Sequence, residues 1–155
     1  MSAHEQAGGP RIVAGVDGSP SSLSALRWAV VQAGLTGASV DAVIAWHYPA
    51  AAAGGGYGMV VGIAGPENFR ESAEKTVADA ISRIPGPPGD VRVHAHVAEG
   101  NAARVLLDAA EGAELLVVGS RGHGGFAEAL LGSVSQHCVQ HAPCPVVVIR
   151  GQDPA

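Results

Sequence analysis

Lysine is almost missing from this chain: Lys75 is the only one in 155 residues, and arginine carries the other positive charges. That single absence removes one well-known way of holding a nucleotide. The phosphate loop GxxxxGK[ST] needs a lysine beside its glycines, and no such segment occurs. The first apolar run is not followed by GxGxxG, so a dinucleotide fingerprint is missing too. No basic block exists and the net charge is −5, which argues against nucleic acid as the partner. The two cysteines, Cys138 and Cys144, form neither a CxxC pair nor a disulfide framework, and they read as small buried or half-buried thiols. No run reaches the ~18 apolar residues of a membrane span, and Met1 to Pro10 lacks the apolar core of a secretion signal. These features predict a cytoplasmic protein with no membrane partner. Charged residues are scarce at 15%, and a buried contact between subunits is one outlet for so sparingly charged a surface.

What is present suits a single ordinary domain. Apolar residues make up 47%, enough for a full core at this length. A loose tail is predicted over 1–10, one domain over 11–150 and a short tail over 151–155. Arg11 to Val16 ("RIVAGV") reads as a strand stopped by Asp17-Gly18-Ser19-Pro20. Ser19 and Pro20 give a helix start, hydroxyl at the cap and proline in the first turn. Leu23, Leu26, Val30 and Ala33 make the apolar stripe, ended by Gly34 and Gly37. Val40 to Trp46 is a second strand. Pro49 to Pro66 is rich in alanine and glycine; it reads as a surface insertion, with a lid or partner surface as the alternative. A helix carries Phe69, Ala73, Val77, Ala80, Ile81 and Ile84 on one face, closed by Pro85-Gly86-Pro87-Pro88-Gly89. Val91 to Val97 alternates with period two, as an edge strand does. A helix starting at Gly100 or Asn101, a strand at Leu115 to Val118, a helix from Ser133 to His141 and a strand at Val146 to Ile149 complete the chain. Strands alternating with helices must run parallel, which predicts an open three-layer α/β/α sandwich on a five-stranded sheet.

The chemistry concentrates in Leu115 to Gln136, "LLVVGSRGHGGFAEALLGSVSQ". An apolar strand ends at Gly119, a glycine loop carries Ser120, Arg121, Gly122 and His123, and Gly132-Ser133 opens a helix. Strand, glycine loop and helix start let main-chain N–H groups face an anion. In open α/β sheets ligands bind beyond the carboxyl ends of the strands, where strand order reverses. If the first and fourth strands are neighbours, Asp17 shares that crevice with the loop. Asp17 is then the carboxylate for Mg²⁺, directly or through water. Arg121 shares the neutralisation of a polyphosphate, and His123 reads as a solvated or phosphate-near residue rather than a base. Asp17 as a mere helix cap, and the loop as mere flexibility, are the plain alternatives. Ser120 and Ser133 lack a nucleophile-elbow context. His94 with His96, and His137 with His141, have metal-compatible spacing but no third ligand.

At these residues the chain resembles the universal stress protein family, specifically its ATP-binding branch. The pattern G-x-x-G-x9-G-S is matched by Gly119, Gly122, Gly132 and Ser133, supported by "VAGVDGSPSS" near the start and "CPVVVI" near the end. The resemblance covers roughly Arg11 to Arg150. It implies strand order 3-2-1-4-5, a Rossmann-like sheet of the adenine-nucleotide alpha-hydrolase type. It also implies ATP and Mg²⁺ as ligands. Gly15, Asp17 and Ser19 would lie near the nucleotide and Ala45 and Trp46 at the adenine. Val118, Gly119, Ser120, Arg121 and Gly122 would wrap ribose and phosphates, and Gly132, Ser133, Val134 and Ser135 the phosphate tail. A homodimer through Val146 to Ile149 is implied as well. The glycine-alanine stretch at 50–65 departs from the family pattern on the adenine side.

The first reading is therefore a bacterial ATP-binding stress-response module with little or no turnover and no catalytic residue. The alternatives are a slow ATPase or a phosphoryl or nucleotidyl transferase using Asp17 and Mg²⁺, and a nucleotide-free dimeric scaffold.

Overall fold

The computed structural model describes residues 9–48, 65–86, 90–121 and 131–150. Strand β1 (Arg11–Gly15) leads into helix α1 (Pro20–Thr36) through a turn that the sequence announces. The Ser19 side chain accepts the Ser22 N–H at 3.2 Å, satisfying one of the helix's orphan donors, and Pro20 stands where no amide bond is needed. The helix runs through Gly34 and stops at Gly37. That residue takes the left-handed conformation (φ 78°) and donates its N–H to Ala33 O. Gly34 was expected to share in ending the helix. It does not, because a single glycine costs an interior turn only about 1 kcal/mol, and the stripe of Ala25, Leu26, Ala29, Val30 and Ala33 is fully buried.

Strand β2 (Ser39–Trp46), helix α2 (Pro66–Ser82), strand β3 (Val93–Glu99), helix α3 (Ala102–Ala109), strand β4 (Leu115–Gly119), helix α4 (Ser133–His141) and strand β5 (Val146–Ile149) follow in order. The five strands form one parallel sheet of order β3-β2-β1-β4-β5. Strand order reverses beside β1, which pairs with both β2 and β4. The third strand lies at the edge, as its alternation predicts, but it is shifted two residues along the chain. Its ladder with β2 runs from Val40↔Val93 to Trp46↔Glu99, so pairing carries it past Val97. Ile84 falls beyond the end of α2 yet still packs on the core.

Alternation along the strands separates two cores. Ile12, Ala14, Val40, Ala42, Ile44 and Val117 meet Leu26 and Val30 of α1 and Val77 of α2 on one face. Val13, Val43, Leu116 and Val118 meet Val105 and Leu106 of α3 and Cys138 of α4 on the other. The architecture is thus a three-layer α/β/α sandwich, each layer held by side chains worth roughly 1.5–3 kcal/mol apiece when fully buried. No helix among the described residues is long and apolar enough to cross a membrane.

At the amino ends of the strands the sheet carries a buried polar clasp that the apolar look of β2 conceals. Asp41 is 6% exposed and accepts from Arg11 Nη1 at 3.3 Å, while His96 Nε2 lies 3.4 Å from its other oxygen. Arg11 also donates to Ala109 O at 2.9 Å and to Glu111 O, tying β1 to the end of α3.

Candidate functional site

A crevice of about 300 Å³ opens beyond the carboxyl ends of β1, β2 and β4. Gly15, Val16 and Asp17 enter it from the end of β1, and Val118, Gly119 and Arg121 from β4 and the residues after it. Gly132, Ser133, Val134 and Ser135 enter from the start of α4. Asp17 and the end of the fourth strand therefore face one space, as adjacency of β1 and β4 requires.

Each part is locally fixed. The Asp17 carboxylate accepts the Ser19 N–H at 2.9 Å through Oδ1, and the Asp17 N–H donates to Ser22 Oγ at 3.2 Å. Asp17 therefore does shape the entry to α1, and it is exposed at the crevice as well. The start of α4 is anchored from below. Gly132 N–H donates to Ser120 O at 2.7 Å, and Ser135 Oγ lies 3.2 Å from the same oxygen and 3.0 Å from Gly132 O. Helices α1 and α3 are capped by the side chains of Ser19 and Asn101. Helix α4 has glycine at its cap and no side-chain cap bond. Its first amides are thus left to a ligand or to solvent, with roughly half a positive charge of helix dipole behind them.

Of the residues expected from sequence, Gly15, Asp17, Ala45, Val118, Gly119, Arg121, Gly132, Ser133, Val134 and Ser135 line the crevice together. Ser19 does not; it is buried as the α1 cap. Trp46 packs against the core cluster under α1 and α2. Ser120 is buried and serves through its backbone, its N–H donating to Ile149 O at 2.8 Å. Gly122, His123 and the stretch 50–64 lie outside the described residues. Sequence reading missed Val16, Ser22, Val43, Ala102 and Leu106, which also line the crevice. Ala102 and Leu106 stand four apart on α3 and form an apolar wall with Val43, Ala45 and Val118.

Two glycines have packing reasons as well. A Cβ at Gly119 would lie 2.7 Å from the Ser21 carbonyl carbon and 2.8 Å from its oxygen, so β4 and α1 meet backbone to backbone here. A Cβ at Gly15 would lie 2.9 Å from Leu106 Cδ1. Burial pushes the Cys138 thiol up to about 11 and raises Cys144 as well. The His137 and His141 ring centroids lie 5.1 Å apart with the planes tilted by 44°, and no group of three metal-ligating side chains occurs among the described residues.

Comparison with known proteins settles the lineage: the family model for the universal stress protein family matches residues 10–150. The chain belongs to the universal stress protein family. A universal stress protein of Mycolicibacterium smegmatis is 36% identical over 154 residues, covering 93% of this chain and 49% of the relative. The chain thus spans about half the length of the curated relatives it matches. Among solved structures, the universal stress protein UspA from Lactobacillus plantarum superposes with a TM-score of 0.70 at 23% identity, covering 91% of this chain and 97% of that one. A universal stress protein in complex with cAMP gives 0.59 at 23% identity, covering 92% and 98%. These two likenesses speak to the fold.

Proposed function

We propose that the crevice binds ATP with Mg²⁺ and holds it with little or no turnover, making the chain a nucleotide-dependent regulatory module of the stress response in the cytoplasm. The observation that carries this reading is the pairing, across one opening, of an exposed carboxylate with a helix start that no side chain caps. An apolar wall at one side and amides, serines and Arg121 at the other suit a molecule with a ring and a polyanionic tail. Asp17 fits a divalent cation: one oxygen is taken by Ser19 N–H, the other is not tied to the turn, and Mg²⁺ ordinarily uses one or two carboxylates plus substrate phosphates. When bound, the ion would neutralise phosphate charge beside Arg121. The relative solved with cAMP supports an adenine nucleotide as the ligand class. The glycine loop lacks the lysine of GxxxxGK[ST], which favours holding over hydrolysis. Homodimerisation through β5, whose outer edge pairs with no strand among the described residues, belongs to the same reading.

Titration calorimetry with MgATP, cAMP and AMP tests the proposal, with Asp17→Asn as the variant. MgATP should bind tighter than cAMP, and Asp17→Asn should weaken MgATP more than Mg²⁺-free ATP. Tighter binding of cAMP, or no nucleotide binding, would overturn it. Phosphate release well above about one per minute, still far below ordinary enzyme rates of ~1–10³ per second, would replace holding by catalysis.

A further inference from the structure

Gly15 sits at the carboxyl end of β1, where glycine beside a nucleotide is commonly read as making room for phosphate. Its surroundings say otherwise. The atoms nearest to a Cβ built there are Leu106 Cδ1 at 2.9 Å, Leu106 Cδ2 at 3.3 Å and Val118 Cγ1 at 3.5 Å, all apolar. Leu106 comes from α3 and is 6% exposed. It lines the crevice together with the apolar side chains of Val43, Ala45 and Ala102. Gly15 is not among the glycines of positive φ, so its backbone conformation does not demand glycine, whereas the contact with Leu106 does. The notch left by the missing Cβ is where the Leu106 isobutyl group is seated.

We propose that Gly15 is a positioning residue for the base: by seating Leu106 against the sheet it keeps open the apolar slot for a planar heteroaromatic ring, and it has no part in holding the phosphates. This rests on the reading of the crevice as a nucleotide site. Adding one methyl at Gly15 forces the Leu106 methyls to turn. Core neighbours Val13, Val105, Val118 and Cys138 close the inner side, and the crevice is the open volume beside them. The displaced group enters the slot. Because the atom that yields is the far end of a side chain rather than backbone, the fold tolerates the change. Shortening Leu106 by one carbon returns the space.

The experiment is calorimetry on the wild type, Gly15→Ala and the double variant Gly15→Ala/Leu106→Val, each with MgATP and with Mg²⁺-tripolyphosphate. Gly15→Ala should lose about tenfold or more in MgATP affinity, the scale of one misplaced methylene in an apolar pocket. Its affinity for tripolyphosphate should not change. The double variant should recover most of the ATP affinity, a coupling that general destabilisation cannot produce. Equal losses for both ligands would place Gly15 on the phosphates, and failure of Leu106→Val to rescue would remove Leu106 from the account; either overturns the proposal. Absence of MgATP binding by the wild type would instead overturn the nucleotide reading, and this inference with it.

Discussion

Gly119 offers the sharpest test of the packing. The residue belongs to the loop pattern by which a nucleotide site is recognised, yet its own neighbour is the backbone of α1. In Gly119→Ala the new methyl would stand 2.7 Å from Ser21 C and 2.8 Å from Ser21 O, nearly 1 Å inside ordinary contact. Neither atom belongs to a side chain that can rotate. Ser21 Oγ donates to Ile149 O at 3.4 Å and accepts the Arg121 N–H at 3.5 Å, so retreat of the helix from β4 would break these bonds. Overpacking of a well-filled core costs about 1–3 kcal/mol, and a clash with backbone belongs at the upper end. A loss of ~3 kcal/mol is a large share of a usual total of about 5–15 kcal/mol. It would lower the melting temperature by roughly 6–12 °C for a chain of this size. Urea unfolding followed by circular dichroism should show a lower midpoint with an unchanged slope. Gly15→Ala, where only the end of Leu106 must move, is the control and should unfold close to the wild type. Gly119→Ala within about 0.5 kcal/mol of wild type would refute the claim that β4 and α1 meet without room for a Cβ.

Asp41→Ala should cost about 3 kcal/mol, because it strands the guanidinium of Arg11, 13% exposed at its side chain, without its carboxylate. Glu74→Ala removes the solvent-exposed partner of Arg70 and should cost no more than ~0.5 kcal/mol; similar losses for the two would sink the distinction. Alkaline stability should carry the mark of Cys138. Below its ordinary value of 9.0 the thiol keeps its proton in both states, and between there and about 11 only the unfolded chain gives it up. Stability therefore falls as pH rises through that window. Cys138→Ala should show a shallower fall, and an identical slope in the two proteins would count against burial as the cause.

The order of elements was legible because Ser19-Pro20, Gly37, Asn101 and the proline brackets state where helices begin and end in local chemistry. The mouth of the crevice was legible for a related reason: Asp17 and the pair Gly119 and Arg121 stand directly at or after the ends of two apolar strands, and those strands are neighbours. The wall formed by Ala102 and Leu106 was not. Alanine and leucine on a short helix look the same whether they face a core or a ligand, and only the fold brings α3 over the end of β1. Asp41 was hidden for the opposite reason. One acid in an apolar strand gives no sign that Arg11, 30 residues earlier, will lie beside it. Gly15 and Gly119 were noticed, but sequence offers no means of telling a glycine that admits a ligand from one that admits a neighbouring helix.

The Arg11 clasp and the crevice occupy opposite ends of β1, four residues or about 13 Å apart along the strand. Durability and recognition are thereby assigned to different poles of the same sheet. Substitutions near Arg11, Asp41 and His96 would alter how long the protein survives heat while leaving what it recognises intact. A deep mutational scan read out separately for abundance and for ligand capture would then divide into two hemispheres, with Gly119, which lines the crevice and packs on α1, scoring in both.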